Sequence, residues 1–98
     1  MTSDIIIIGA GIVGLSTAYQ IARRSSLSVL VLEKSGTLGA GSTGASSAIC
    51  RHRYSQDEMV TLARDGILAY RNWAEFTGIS SPQAEYHQDG VLWVNNEG

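Results

Sequence analysis

The chain begins with a run of apolar residues that ends in closely spaced glycines. Residues 4 to 8 include four isoleucines, and a short run that is apolar on both faces is typical of a strand in a parallel sheet covered by helices. Residues 12 to 24 carry apolar positions at helical spacing and end on two arginines, which favours an α-helix. Residues 28 to 33, SVLVLE, predict a second strand. Together they predict one βαβ unit, whose right-handed crossover makes the strands parallel.

The chain then changes to a stretch of small and hydroxyl-bearing residues. Residues 34 to 55 offer almost nothing to fill a core, so we predict a loop or a short irregular helix there. Ser55 and Glu58 have the spacing of a capping box, which predicts a helix from about residue 56 to residue 77. Gly78 is a natural residue to end it. We expect its apolar stripe to be buried, namely Met59, Leu62, Ala63, Ile67, Tyr70 and Ala74.

The last part of the chain has the pattern of β-structure. Asp89 and Gly90 form a turn signal, and the residues after them, VLWV at 91 to 94, are β-branched, aromatic or apolar. We therefore predict a turn that enters a β-strand. We also expect Trp73, Phe76 and Trp93 to contribute to a core, because aromatic side chains bury a large apolar area.

Three glycines follow the first strand with the spacing G-x-G-x-x-G, which brings a backbone close to the diphosphate of a dinucleotide. Gly9 permits the tight turn, Gly11 leaves no side chain between backbone and diphosphate, and Gly14 lets the helix pack close to the strand. The diphosphate would lie against the free amides of Ile12 and Val13, where the helix dipole favours negative charge. The motif predicts a dinucleotide site because it follows a strand and opens a helix.

Glu33 ends the second strand, 22 residues after Gly11. In that place a carboxylate accepts hydrogen bonds from ribose hydroxyls and repels a 2'-phosphate, which disfavours NADP. The glycine turn and Glu33 serve FAD and NAD alike, so the choice between them depends on the segment that follows. That segment, GTLGAGSTGASSA, has amides and hydroxyls suited to a long extended ligand. FAD, with its ribityl chain, fits it better than NAD.

Composition and charge limit the partners of the chain. Hydrophobic residues make up 44% and charged residues 16% of the 98 residues, as in ordinary globular proteins. The net charge of -2 offers no basic surface for nucleic acid. Cys50 is a single cysteine, so no internal disulfide can form, and we find neither a signal peptide nor a transmembrane segment. These features predict a cytoplasmic protein.

Four segments in order carry a resemblance to a known family: IIIIGAGIVGLSTAYQIAR, VLVLEK, GTLGAGSTGASSAICRHRY and DGVLWV. The chain resembles the amino-terminal part of the FAD-dependent amine oxidoreductases, which include D-amino acid oxidase, glycine oxidase, sarcosine oxidase and dimethylglycine dehydrogenase. The resemblance implies an α/β fold in which a Rossmann-like FAD-binding segment with parallel strands and a long helix occupies residues 1–78. A β-rich substrate domain would begin at residues 79–98.

The resemblance also implies an activity and a set of cofactor contacts. Hydride would pass from the carbon beside the nitrogen of a small amine or amino acid to the flavin, with oxygen or another carrier as the final acceptor. The diphosphate would be held by Gly9, Gly11, Ile12, Val13 and Gly14, and the adenosine by Glu33 and Lys34. The phosphates and the ribityl chain would be lined by Ser42 and Thr43. The residues near the isoalloxazine ring would be Ser47, Ala48 and Ile49. The resemblance places no metal and no identified catalytic residue in this chain.

Family members are several times longer, so the resemblance predicts that this chain is a fragment without turnover of its own. Two alternatives stay open: a nucleotide-binding module or degenerate fragment without catalysis, and a segment of an NAD-dependent dehydrogenase. Arg51 also has two interpretations. Its guanidinium would either stabilise the negative charge of a reduced flavin or form a surface or structural ion pair.

Overall fold

The computed structural model describes residues 2–81 and 84–94. Its contacts divide the chain into two compact units, Met1–Ala48 and Ile49–Gly98. Each unit has its own secondary structure. The division into domains at residue 78 stays a prediction.

The first unit is a βαβ arrangement, with β1 at Ile5–Ile8, α1 at Ile12–Arg24 and β2 at Val29–Leu32. The two strands pair in parallel, with Ile5 opposite Val29 and Ile8 opposite Leu32. The α1 helix contacts both strands. The predicted parallel strands and the α/β class are therefore confirmed.

The strand β1 is covered on one face. Side chains alternate between the two faces of a strand; Ile5 and Ile7 are half-buried, whereas Ile6 and Ile8 are 57% and 88% exposed. The expectation that helices cover both faces of β1 is wrong for the described residues. The reason is that the described part of this unit supplies one helix, and one helix covers one face.

Asp4 and Ser28 join the two strands at their amino-terminal ends. The Ser28 amide and hydroxyl donate to Asp4 Oδ2 at 2.8 and 2.7 Å, and the Asp4 amide donates to Ser28 Oγ at 3.0 Å. The Ser28 donors, first the hydroxyl and then the amide, lower the pKa of the Asp4 carboxyl. These bonds precede the first strand pair and help to set the parallel register.

The second unit contains two consecutive helices, α2 at Asp57–Arg71 and α3 at Trp73–Thr77. The single helix predicted over residues 56 to 77 is therefore interrupted at Asn72, whose φ and ψ are -112° and 41°. The Asn72 side-chain amide donates to the Leu68 carbonyl oxygen at 3.0 Å, and the Asn72 backbone amide donates to the same oxygen. A side chain that bonds back to the carbonyl four residues earlier bends a helix, and the break lies at this residue. Gly78 ends α3 at φ +73°, as predicted.

The predicted capping box at the start of α2 is wrong. The N-cap is Gln56, which makes no side-chain capping bond, and the helix begins at Asp57. Ser55 consequently lies one residue outside the N-cap, and Glu58 is the second helical residue instead of the third. The acidic side chains of Asp57 and Glu58 still favour this end, because the helix dipole is positive there.

Burial in the described residues is sparse. Ala10 and Ile67 are the buried apolar side chains of this part, at 1% and 5% exposed. Of the predicted stripe on α2, Ile67 is buried, whereas Leu62 is 66% exposed. The Trp73 ring is half-buried and stacks on Phe76 with 5.5 Å between ring centroids. The aromatic cluster of this unit is therefore only partly sheltered.

The predicted strand at residues 91 to 94 is not formed in the described part of the chain. Gly90 has φ +82°, which agrees with a turn, but all four residues after it are exposed. A strand exists through hydrogen bonds to a neighbouring strand. No described segment pairs with VLWV, so its β propensity alone does not produce a strand.

Candidate dinucleotide site

The turn between β1 and α1 depends on two glycines with different physical tasks. Gly9 has φ +105°, a conformation that glycine adopts without strain, and its amide donates to the Leu32 carbonyl oxygen at 2.7 Å. A Cβ at Gly14 would collide with the Gly9 carbonyl oxygen and lie 3.4 Å from Ile7 Cγ2. The structure therefore confirms that Gly9 makes the turn and that Gly14 permits close packing of α1.

The amino-terminal end of α1 offers backbone amides to a ligand. The Ile12 amide donates to Thr43 Oγ1 at 3.0 Å, so the expectation that this amide is free is wrong. The physical reason is that the first amides of a helix lack intrahelical partners and a hydroxyl oxygen is a good acceptor. Within the described ranges, nothing accepts from the amides of Val13 and Gly14. These two amides, at the positive end of the helix dipole, are available to an anion.

Gly11 lies between this helix end and Thr43. It is the N-cap of α1, and a Cβ there would lie 3.1 Å from Thr43 Oγ1. A side chain at this position would therefore press on Thr43 and occupy the approach to the amides. Because Thr43 Oγ1 accepts from Ile12, the Thr43 hydroxyl hydrogen remains available to donate.

The glycine- and serine-rich loop is fastened to the glycine turn. The Gly39 amide donates to the Ala10 carbonyl oxygen at 3.0 Å, and the Gly44 amide donates to the Gly39 carbonyl oxygen at 2.7 Å. Together with the Thr43 contact, these bonds bring the loop beside the start of α1. Ser42 lies in the same loop and is exposed.

Glu33 lies directly after β2 and reaches the glycine turn. Its Oε2 accepts from the Ala10 amide at 2.8 Å, and its Oε1 accepts from the Ser35 amide at 2.9 Å and from Ser35 Oγ at 3.0 Å. Chiefly the Ser35 amide, then the Ala10 amide and the Ser35 hydroxyl, lower the pKa of Glu33 to about 2. Glu33 is thus a carboxylate at neutral pH, held beside the predicted diphosphate position.

The predicted site residues include neither of the two residues that donate to Glu33, Ala10 and Ser35. Ala10 is the variable residue between Gly9 and Gly11, and no feature of its side chain signals that its amide will bind Glu33. Ser35 follows a predicted strand in a serine-rich stretch, where one serine is not distinguished from the next. Lys34, which the resemblance assigned to the adenosine, is exposed between these residues.

Ser47, Ala48 and Ile49 lie where the chain passes from the first unit to the second, and all three are exposed. Ala48 has φ +54°, the left-handed region that residues other than glycine seldom adopt. The Ala48 amide donates to Ser46 Oγ at 3.1 Å, which supports this conformation. A position of these residues near an isoalloxazine ring stays a prediction.

The second unit contains a cluster of two arginines and two aromatic rings. The Arg51 guanidinium carbon lies 4.9 Å from the centroid of the Tyr54 ring and 5.4 Å from that of Trp93. Arg53 lies 5.1 Å from the Trp93 centroid. Arg51 is therefore held by cation-π contacts. Of its two interpretations, the ion pair finds no support in the described residues, where the recorded ion pair joins His87 to Glu85.

Residues 2–81 and 84–94 hold neither a metal-binding cluster nor a membrane-spanning helix. No group of three or more His, Cys, Asp and Glu side chains is arranged there to bind a metal ion. No helix of this part combines the length and the apolar character needed to cross a membrane.

Comparisons with known proteins match the chain to flavoproteins. The model of the family described as FAD dependent oxidoreductase (DAO) matches residues 4–98. Sarcosine oxidase subunit beta of Rhodobacter capsulatus is 39% identical over 54 residues, which are 55% of this chain and 13% of that protein. Dimethylglycine dehydrogenase, mitochondrial, of Homo sapiens is 33% identical over 90 residues, which are 92% of this chain and 10% of that protein.

A third similar protein has a different reaction in its name. Fumarate reductase 1 of Saccharomyces cerevisiae is 30% identical over 105 aligned residues, which cover 97% of this chain and 22% of that protein. No solved structure gives a significant match. The chain thus spans between a tenth and about a fifth of the length of these three relatives.

Proposed function

Because this chain belongs to the FAD dependent oxidoreductase family, we propose that it forms the FAD-binding part of an enzyme that oxidises a CH-N bond. The substrate would be a small amine or amino acid, and hydride would pass from its carbon to the flavin. One observation carries the cofactor part of this proposal. The free amides of α1 and the ionised carboxylate of Glu33, which accepts from Ala10 in the glycine turn, both lie at the carboxyl ends of two parallel strands.

The residues of the glycine turn fit an FAD diphosphate. The amides of Val13 and Gly14 can donate to phosphate oxygens, and the Thr43 hydroxyl can donate from its place beside the Ile12 amide. The absence of a side chain at Gly11 leaves room for the approach, because a Cβ there would lie against Thr43 Oγ1. The amide of Ile12 contributes indirectly in this proposal, by holding Thr43 in place.

The adenosine half of FAD fits the carboxylate of Glu33. An ionised carboxylate accepts hydrogen bonds from ribose hydroxyls and repels a 2'-phosphate, as expected for FAD and not for NADP. Lys34 would contact the adenosine, Ser42 the phosphate and ribityl region, and Ser47, Ala48 and Ile49 the flavin ring. When bound, the flavin supplies the hydride acceptor. The residues of this chain bind and orient it.

Similarity to two relatives supports an amine substrate. The names of those relatives specify sarcosine and dimethylglycine, which are small N-methylated amino acids. Fumarate reductase 1 matches the same part of the chain, so this region alone supports the cofactor more strongly than the substrate. The final electron acceptor, oxygen or another carrier, stays open. A cytoplasmic location also stays a prediction, because the name of the human relative places that protein in mitochondria.

Cofactor binding is tested first, with the purified chain and added FAD. We expect the protein to retain FAD after gel filtration and to show oxidised flavin absorbance near about 450 nm. Gly11→Val should abolish retention, because its side chain meets Thr43 and blocks the diphosphate. Gly36→Ala is the matched control, since a Cβ at Gly36 meets nothing within 4 Å. Retention of NAD in place of FAD would support the dehydrogenase alternative and contradict the proposal.

The substrate is tested with the product of the complete reading frame under anaerobic conditions. Sarcosine, dimethylglycine, glycine and D-alanine are added separately, with succinate as the comparison that lacks nitrogen. Bleaching of the flavin absorbance by an amine, and not by succinate, is the expected result. Bound FAD that no amine reduces would instead support a module without catalysis.

A further inference from the structure

Ser35 holds one oxygen of the carboxylate that the proposed FAD site requires. We propose that Ser35 is a positioning residue, which orients Glu33 toward the ribose 2'-hydroxyl of the adenosine. This inference rests on the proposed function and adds to it a residue that determines cofactor affinity. The support comes from three hydrogen bonds that converge on Glu33 from two different loops.

The contacts of Glu33 show why a second anchor matters. The Ala10 amide holds Oε2 at 2.8 Å, and this contact alone would leave the carboxylate free to turn about it. Both the amide and the hydroxyl of Ser35 reach the other oxygen, Oε1, at 2.9 and 3.0 Å. With its two oxygens anchored on opposite sides, the carboxylate has one orientation. A ligand then does not have to offset the entropy of ordering this side chain.

The count of acceptor sites identifies the oxygen that meets the ribose. A carboxylate has about four lone-pair sites. The Ser35 amide donates to Oε1, and the Ser35 hydroxyl shares its hydrogen between Oε1 and the Thr37 carbonyl oxygen. Oε2 accepts from the Ala10 amide alone, so its second acceptor site, beside the glycine turn, is open. That site can accept one ribose hydroxyl. A 2'-phosphate offers no hydrogen there and carries the same charge as Glu33.

Ser35 is itself held in place. Its Oγ lies 2.8 Å from the carbonyl oxygen of Thr37, so the one hydroxyl hydrogen is shared between Thr37 and Glu33. The side chain of Ser35 therefore connects Glu33 to the turn that follows it. Removing the hydroxyl releases this connection but keeps the backbone amide bond to Oε1. The expected effect is a partial loss of affinity.

The experiment measures whether Ser35 and the ribose hydroxyl act together. FAD is titrated into the wild-type chain and into Ser35→Ala, Ser35→Thr and the control Ser26→Ala, an exposed serine of the turn before β2. ADP and 2'-deoxy-ADP then compete with FAD. We expect Ser35→Ala to weaken FAD and ADP by about 3- to 10-fold, with Ser35→Thr and Ser26→Ala within about twofold of the wild type. For 2'-deoxy-ADP, Ser35→Ala should equal the wild type.

The outcomes separate this inference from the proposed function. If the wild-type chain does not bind FAD, the proposed function fails, and this inference fails with it. If the wild type binds FAD but Ser35→Ala binds it equally well, this inference alone is overturned. The same holds if Ser35→Ala loses ADP and 2'-deoxy-ADP affinity alike, because Ser35 would then only maintain the loop. Circular dichroism checks folding, and Ser35→Cys replaces Ser35→Ala if the alanine variant does not fold.

Discussion

Single residues of the glycine turn are constrained in three different ways. Gly9 is constrained by its backbone, because its φ of +105° is strained for any residue with a Cβ although the space around it is open. Gly14 is constrained by space, because a Cβ would meet the Gly9 carbonyl oxygen. Gly11 is constrained by the proposed ligand, because a side chain there would occupy the approach of the diphosphate to the amides of α1. The same residue type therefore serves folding at two positions and binding at the third.

Replacing Gly14 by alanine tests the constraint of space. The methyl group can be accommodated only if α1 moves away from β1, so we expect the free energy of unfolding to fall by about 1 to 3 kcal/mol. Gly66→Ala is the matched control inside α2, where a Cβ meets nothing within 4 Å. It should raise the free energy of unfolding by about 0.5 to 1 kcal/mol, because alanine is the better helix former. Urea unfolding of both variants measures these changes, and a neutral Gly14→Ala would contradict the packing of this turn.

At the scale of elements, the start of α2 lacks the side-chain cap that the sequence predicts. The helix begins one residue later than a capping box at Ser55 requires, and its N-cap, Gln56, makes no side-chain capping bond. The amides of Met59 and Val60 both donate to the Gln56 carbonyl oxygen at 3.1 Å. The first hydrogen bonds of the helix are therefore backbone bonds to Gln56, and the Gln56 side chain does not cap the first amides.

A better cap at residue 56 should stabilise α2. Aspartate accepts hydrogen bonds from the first amides of a helix and favours the positive end of its dipole, so we expect Gln56→Asp to raise the free energy of unfolding by about 0.5 to 1 kcal/mol. Ser55→Ala should change it by less than about 0.5 kcal/mol, because Ser55 lies outside the N-cap. Thermal unfolding of the two variants side by side gives the comparison. A larger loss for Ser55→Ala would show that the predicted capping box forms after all.

The sequence predicted the elements that depend on local patterns. The predicted bounds of α1 are those observed, and the two strands, predicted at residues 4 to 8 and 28 to 33, are shorter only at their ends. The break at Asn72 was missed, because it accompanies a side-chain bond back to the Leu68 carbonyl oxygen within an otherwise helical pattern. The strand at residues 91 to 94 depends on a partner strand, which the pattern of one segment cannot supply.

The same distinction holds for the candidate site. The glycine spacing and Glu33 were predicted, because the motif requires those residue types at those positions. The bonds from Ala10 to Glu33 and from Ile12 to Thr43 join residues 23 and 31 positions apart. Which amide meets which acceptor across such a separation depends on how the loop packs on the turn. Spacing therefore located the site but did not identify which amides it leaves free.

At the scale of the whole molecule, acid sensitivity depends on hydrogen-bonded carboxylates. The net charge is -2, and the ion pair recorded in the described residues, His87 with Glu85, is largely exposed and worth little. Asp4 and Glu33 both have lowered pKa values. Asp4 is held by donors of the distant Ser28, and Glu33 by the nearby Ser35 and the distant Ala10. These two groups couple the stability of that unit to pH.

The direction of the pH effect follows from the lowered pKa. The unfolded chain protonates Glu33 at its ordinary value of 4.5, whereas the folded chain does so at about 2. The stability that ionised Glu33 contributes is therefore present above pH 4.5 and is lost as the pH falls toward 2. Glu33→Gln should be less stable than the wild type near neutral pH, and the difference should shrink across this window.

Urea unfolding at several pH values across the window measures this difference. Asp4→Asn provides a parallel measurement for the second carboxyl, whose pKa is also lowered, so that the two contributions can be separated. A difference between wild type and Glu33→Gln that stays constant with pH would show that the hydrogen bonds to Glu33 do not shift its titration.

The uneven placement of aromatic residues provides a built-in optical label. Both tryptophans, Trp73 and Trp93, belong to Ile49–Gly98, whereas Tyr19 is the sole aromatic residue of Met1–Ala48. Tryptophan fluorescence therefore follows the second unit, while far-ultraviolet circular dichroism records the helices of both. Coincident transitions by the two signals would indicate that the units unfold together, and separated ones that they unfold in turn. A fluorescence trace taken alone would not report on the unit that carries the glycine turn.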